Sequence, residues 1–248
     1  MKHILLLFSL VSILSINLFA QADVEGLVSV GNDLVKLNRY EEAMEKYNEA
    51  LDYLPSFAPG LNAKANLLIL MEDYKAAGRL IDDAIKQNSD YPDFYLTMGS
   101  ILIHKGKFED AIENLNRALD LEQGNNNKLF ENKVYVNRGA AYQKLFEFDA
   151  ALNDYSKAIQ LNDNNPNVFL YRGYLYYQTN EYEQAIRDFN IVIEIDPENP
   201  FAYYNRGMTF LKQVKSDEAC DDFHTACELG NTNACKMVVA NCIELPIQ

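Results

Sequence analysis

Six alanines mark a period in this chain: Ala43, Ala77, Ala111, Ala151, Ala185 and Ala219 are separated by 34, 34, 40, 34 and 34 residues. A fixed period of this size constrains the fold more than any bulk property. Each unit is too short to bury its own apolar face, so neighbouring units must stack and share a core. The period divides the chain into six repeats: 24–57, 58–91, 92–125, 132–165, 166–199 and 200–233.

Positions within the repeat fall into columns. Position 8 is small throughout, as Gly31, Ala65, Gly99, Gly139, Gly173 and Gly207. Position 27 reads Ala50, Ala84, Ala118, Ala158, Val192 and Ala226, and position 20 is always Ala. Small residues let two helices approach closely. Large residues recur at positions 4, 11 and 24, as in Phe169, Tyr176 and Phe189. This is helical spacing on two successive segments. Turn chemistry lies between them, as in Gln178-Thr179-Asn180-Glu181. Pro55 and Pro197 close two repeats.

This column set resembles the tetratricopeptide repeat. The stretch from Phe169 to Tyr177, with Tyr182, Ala185, Phe189 and Pro197, carries the likeness most fully. The family's first-column Trp is Leu, Tyr or Phe here. The resemblance spans 24–233. It implies an all-α, right-handed α-solenoid of six helix-turn-helix repeats, followed by a C-terminal capping helix and tail over 234–248.

Charge follows the same register. Position 7 is Arg in three repeats (Arg138, Arg172, Arg206), and position 23 is Asp in the same three (Asp154, Asp188, Asp222). Their joint appearance predicts structural ion pairs between helices, within a repeat or across to the next, because a bidentate Arg–carboxylate contact satisfies both groups. The extra residues between the third and fourth repeats read as a turn at Gly124-Asn125-Asn126-Asn127. Lys128–Glu131 then extends the next helix upstream, or forms a loose hinge; apolar Leu129 and Phe130, expected to be buried, favour the extension.

The start of the chain has a separate logic. Lys2 and His3 precede an apolar run from Ile4 to Leu18, and small residues follow at Ala20 and Ala22. This layout predicts a cleaved signal peptide over 1–22 and export to the periplasm, the envelope or the exterior. No later apolar run is long enough to span a bilayer. The formal net charge is −14, and loss of Lys2 makes it more negative. Such acidity argues against nucleic acid as partner.

All four cysteines lie near the end: Cys220, Cys227, Cys235 and Cys242. In an antiparallel helical hairpin, facing residues have a constant index sum. Cys227 with Cys235 and Cys220 with Cys242 share one sum, and each helix places its two sulfurs two turns apart on one face. Two nested disulfides are predicted, pinning a cap helix whose Ala234, Met237, Val238 and Ile243 face inward. Export favours such bonds. The segment Ala226–Cys235 also resembles the cysteine-bridged junctions of Sel1-like repeats. The rival is a zinc site from Cys220, His224, Cys227 and one further Cys. It leaves the sum rule unexplained, so no metal is expected.

No catalytic motif accompanies the repeats, and neither catalysis nor a cofactor is expected. In the resembled family, positions 2, 5, 6, 9, 12 and 13 line a concave binding face. Carried over, these give Asn62, Asn66 and Ile69 in the second repeat, and Leu170, Tyr171, Tyr174, Tyr177 and Gln178 in the fifth. In the sixth they give Phe201, Tyr204, Asn205, Met208 and Leu211. Aromatic and Met side chains are enriched in interface cores, although the same residues can serve packing. The family's carboxylate clamp maps onto Asn62, Asn66, Thr97, Lys133 and Asn137. It retains one Lys there and is broken by the insert, so it is rejected. The reading is an exported scaffold or adaptor that binds a protein or peptide. The alternatives are a cell-wall glycan-binding accessory or a self-assembling envelope subunit, and homo-oligomerisation stays open.

Overall fold

The computed structural model describes residues 23–242. The signal peptide over 1–22 and Ile243 lie outside them. The described residues are all-α, of the solenoid class, and they divide into two units at Gln123/Gly124.

The N-terminal unit holds α1 (residues 23–36), α2 (Tyr40–Tyr53), α3 (Ala58–Leu70), α4 (Tyr74–Gln87), α5 (Pro92–His104) and α6 (Phe108–Glu122). The C-terminal unit holds α7 (Lys128–Lys144), α8 (Phe148–Leu161), α9 (Pro166–Gln178), α10 (Tyr182–Ile195), α11 (Pro200–Lys212), α12 (Ser216–Glu228) and α13 (Thr232–Asn241). In each unit the helices pair into hairpins, and each hairpin packs on the next. Among the described residues no helix is long and apolar enough to cross a membrane.

Local chemistry sets the helix ends. Pro92, Pro166 and Pro200 open α5, α9 and α11. The first helical position needs no N–H, and proline's fixed φ suits it. Asn127, Asn165, Asn199 and Asn231 cap α7, α9, α11 and α13 by accepting backbone N–H bonds. The turn inside each of the six repeats contains one left-handed residue: Asn38, Glu72, Gly106, Phe146, Asn180 or Val214. Only one of these is glycine, and Val214, at φ 62°, is a β-branched residue in a region such residues avoid.

The small column at position 8 is a steric requirement. A Cβ on Gly139 would sit 2.9 Å from the Tyr155 ring, and one on Gly173 would sit 2.8 Å from Phe189. Those rings are fully buried. Burying one contributes roughly 2–3 kcal/mol, and only a glycine lets the facing helix come close enough. In the second repeat Ala65 stands in this column and faces the slimmer Ile81.

One sequence expectation needs correcting. Leu129 is exposed, while Phe130 beside it is buried. Both lie on the helical extension of α7, but successive helical residues point about 100° apart, so one turned inward means the other turns out. The large residues at positions 4 and 11 are mostly half-buried. The fully buried column includes position 10, as Leu67, Ile101, Ala141, Leu175 and Thr209, and position 3, as Phe94, Val134, Val168 and Ala202. Leu67, Phe94, Ile101, Val168 and Leu175 join the cluster of the hairpin before them in the same unit. In the first repeat the same positions are Gly26 and Asp33, and both are exposed.

Candidate functional site

Arg138, Arg172 and Arg206 each grip an Asp of their own hairpin. Arg172 donates through Nε and Nη2 to Asp188, both at 2.8 Å; Arg138 makes the same fork to Asp154 at 2.7 and 2.8 Å. Arg206 does so to Asp222 at 2.9 and 2.6 Å. A third nitrogen reaches back to the preceding repeat: Arg172 Nη1 donates to Ser156 at 3.2 Å, and Arg206 Nη1 to Asn190 at 2.5 Å. Each guanidinium lies between two rings. For Arg172 these are Phe169 and Tyr176, with centroids 5.7 and 5.8 Å away. Tyr135 and Tyr142 flank Arg138, and Tyr203 and Phe210 flank Arg206. Burial works against the charge on Arg172, but the Asp188 hydrogen bond and charge outweigh it, so the guanidinium holds its proton more tightly than usual. These arginines are committed to packing and offer nothing to a ligand.

The cysteines join as Cys220–Cys242 and Cys227–Cys235, with Cα atoms 5.5 and 4.8 Å apart. No described sulfur is free to ligate zinc. On α13, Ala234 is buried, and Met237 and Val238 pack on the cluster around Phe223.

The aromatic candidates separate into two groups. Tyr204 and Met208 pack against the Phe223 cluster, which includes cap residues, and the Tyr204 and Phe223 rings are 6.1 Å apart. Leu170 packs on Phe169, Val192 and Ala202. The Asn205 carbonyl accepts the Thr209 hydroxyl at 2.7 Å. Tyr177 is half-buried, its ring 6.2 Å from Tyr174 and 6.3 Å from Tyr182. Burial, followed by the neighbouring Tyr182, Tyr174 and Tyr204 hydroxyls, pushes its phenol up. In the N-terminal unit, Asn62 and Asn66 are bridged by the buried Thr97 hydroxyl, which donates to Asn62 at 2.7 Å and Asn66 at 3.4 Å. This clasp links α3 to α5.

Tyr171, Tyr174, Gln178 and the exposed Phe201 remain, and the first three line a cleft of about 500 Å³ in the C-terminal unit. Its other walls are Ala140, Gln143 and Lys144 of α7, Phe146 of the turn and Tyr155 of α8. Tyr171 and Tyr174 are well exposed, and Phe146 more so. A polar row crosses the cleft: Tyr155 Oη donates to Gln143 Oε1 at 3.0 Å, and Gln143 Nε2 donates to Gln178 Oε1 at 2.6 Å. Burial pushes the Tyr155 phenol far up, with Tyr171 and Asp154 adding to the shift, so its hydroxyl keeps its proton and remains a donor. Sequence reasoning missed Ala140, Gln143, Lys144, Phe146 and Tyr155. Applying positions 9, 12 and 13 to the fourth repeat would have found the first three. Tyr155 read as core, which its ring is, and Phe146 is present only because the turn's left-handed residue swings outward.

Comparisons with known proteins agree with this architecture. Sequence profiles of the tetratricopeptide repeat match residues 68–127 and 133–165, and one described as TPR repeat matches 173–214. The DnaJ homolog subfamily C member 3 homolog of Dictyostelium discoideum is 32% identical over 110 residues. That match covers 43% of this chain but only 21% of the relative. Among solved structures, that of Pseudomonas aeruginosa PilF superposes with a TM-score of 0.76 at 19% identity, covering 89% of this chain and 98% of that one. YrrB, described as a TPR protein with an unusual peptide-binding site, gives 0.61 at 20% identity, covering 78% and 97%. At such identities the likeness is one of fold.

Proposed function

Since the chain carries tetratricopeptide repeats, we propose that it is a non-catalytic scaffold, exported from the cytoplasm, that binds a protein or peptide through the cleft of its C-terminal unit. The observation that carries this reading is the cleft itself. Exposed aromatic walls supply apolar contact, and a fixed row of amides supplies hydrogen bonds to a backbone. Among the described residues its lining has no His, Cys, Asp or Glu. The peptide-binding site described for YrrB lends the fold a precedent. Export is supported by the two disulfides, which persist in oxidising compartments.

The test is site-specific crosslinking. A photoreactive residue at position 174 should trap a discrete partner from envelope extract, while one at the exposed Lys86 of the N-terminal unit should not. Equal adducts at both positions would sink the assignment of the cleft. Export is checked by blocking thiols at the moment of lysis: the chain should carry no alkylatable cysteine.

A further inference from the structure

The cleft's hydrogen-bonding inventory leans toward donors. The Gln143 and Gln178 oxygens each already accept one hydrogen bond, from Tyr155 and Gln143 respectively. Among the described residues, the groups still without a partner are the Gln178 NH2 group and the Lys144 ammonium, which only donate, and the hydroxyls of Tyr171 and Tyr174, which can donate or accept. A ligand suited to such a surface presents acceptors and few donors. An ordinary extended peptide presents both in equal number. A proline-rich segment does not, because each proline keeps its carbonyl and lacks an N–H.

The walls point the same way. Tyr171, Tyr174 and Phe146 are exposed rings flanking the cleft, and Tyr174 stacks at 24° to Tyr177, which holds its orientation. Flat rings set side by side accept the ridges of a left-handed polyproline II helix. That helix is already formed in the free ligand and loses little entropy on docking. Charge narrows the class further. The chain carries a formal −14, so its field repels acidic partners and attracts basic ones.

Resting on the proposed binding role, we infer that the cleft recognises a proline-rich, polyproline II segment flanked by basic residues. The tyrosine and phenylalanine rings hold the proline faces, and Gln178 and Lys144 donate to the carbonyls between them. Gln178→Glu keeps the acceptor for Gln143 and replaces the outward NH2 by an anionic oxygen, whose attraction for lysine ends is read off with a control peptide of equal charge.

The experiment is a calorimetric titration of the full chain with a synthetic oligoproline bearing a lysine at each end. The control is a Gly/Ser peptide of equal length and charge. Saturable binding of the oligoproline is expected, with the control at least about tenfold weaker. Tyr174→Ala and Gln178→Glu should each weaken it about tenfold or more, while Lys86→Ala leaves it unchanged. Equal binding of the two peptides, no saturable binding of the oligoproline, or indifference to both cleft variants overturns the ligand class. Crosslinking at position 174 separates the two failures. A partner trapped there without oligoproline binding removes the proline preference alone, whereas no partner and no binding remove the cleft as a site.

Discussion

The two units use one hairpin plan and fill its seams differently. In the N-terminal unit, position 7 is Val30, Lys64 or Met98, and positions 4 and 11 are Leu except for Tyr95. In the C-terminal unit, the same places hold an arginine between two aromatic rings, tied to an aspartate on the facing helix. These parts depend on one another. A buried carboxylate is costly without its partner, and the guanidinium is favoured where flat rings flank it. The contrast suggests that the C-terminal unit gains a fixed geometry in the repeats that carry the cleft, whereas the N-terminal unit relies on apolar fit and the small Asn62–Thr97 clasp.

The largest test of that contrast removes one arginine. Arg172→Ala leaves Asp188, only 4% exposed at the side chain, buried without its charge partner. It should cost about 3–5 kcal/mol in urea unfolding of the full chain. The positional counterpart Lys64→Ala should stay within about 0.5 kcal/mol. The double change Arg172→Met with Asp188→Leu should recover most of the loss; equal costs for the two single variants would erase the distinction between the units.

Reduction comes next. Opening Cys220–Cys242 should remove on the order of 3 kcal/mol. The loss should be confined to the C-terminal unit, since the other has no cysteine. Hydrogen exchange read peptide by peptide should show faster exchange over α12 and α13 and no change over α3–α6. A uniform loss of protection would contradict that confinement.

A smaller effect lies in the glycine column. Gly139→Ala forces a methyl to within 2.9 Å of Tyr155 and should cost about 1–3 kcal/mol by thermal melting. In the second repeat an alanine already occupies this position opposite Ile81, so Ala65→Gly should cost no more than about 1 kcal/mol, through chain entropy. The smallest change runs the other way. Val214→Gly relieves a left-handed β-branched residue and should stabilise by about 1 kcal/mol, while Gly106→Val, the same position in the N-terminal unit, should destabilise by a similar amount. Matching signs for the two would mean that the turn geometry is not shared.

The candidate site was only half legible. Tyr174 and Gln178 were reachable from a rule about repeat positions, but so were Leu170, Tyr204 and Met208, which pack inward. A repeat position specifies a direction from the helix axis and says nothing of what stands opposite. Met208 and Tyr204 are covered because the cap helix and its neighbours pack there. Tyr174 stays open because the facing surface at that level is Ala140 and an amide.

The amino-acid sequence by itself determined the period, the helical hairpins, the small and large columns, and that the arginines and aspartates appear in step. These are local relations, repeated often enough to be visible as columns. Tertiary structure alone decided that each Arg–Asp pair closes within its own hairpin. It also decided the burial at positions 3 and 10, the exposure of Leu129, and the meeting of Tyr155, Gln143 and Gln178 in one row. Contacts between successive hairpins are made by residues that vary from repeat to repeat, so they leave no column. They exist only once the hairpins are stacked, because only then does one helix flank lose its water.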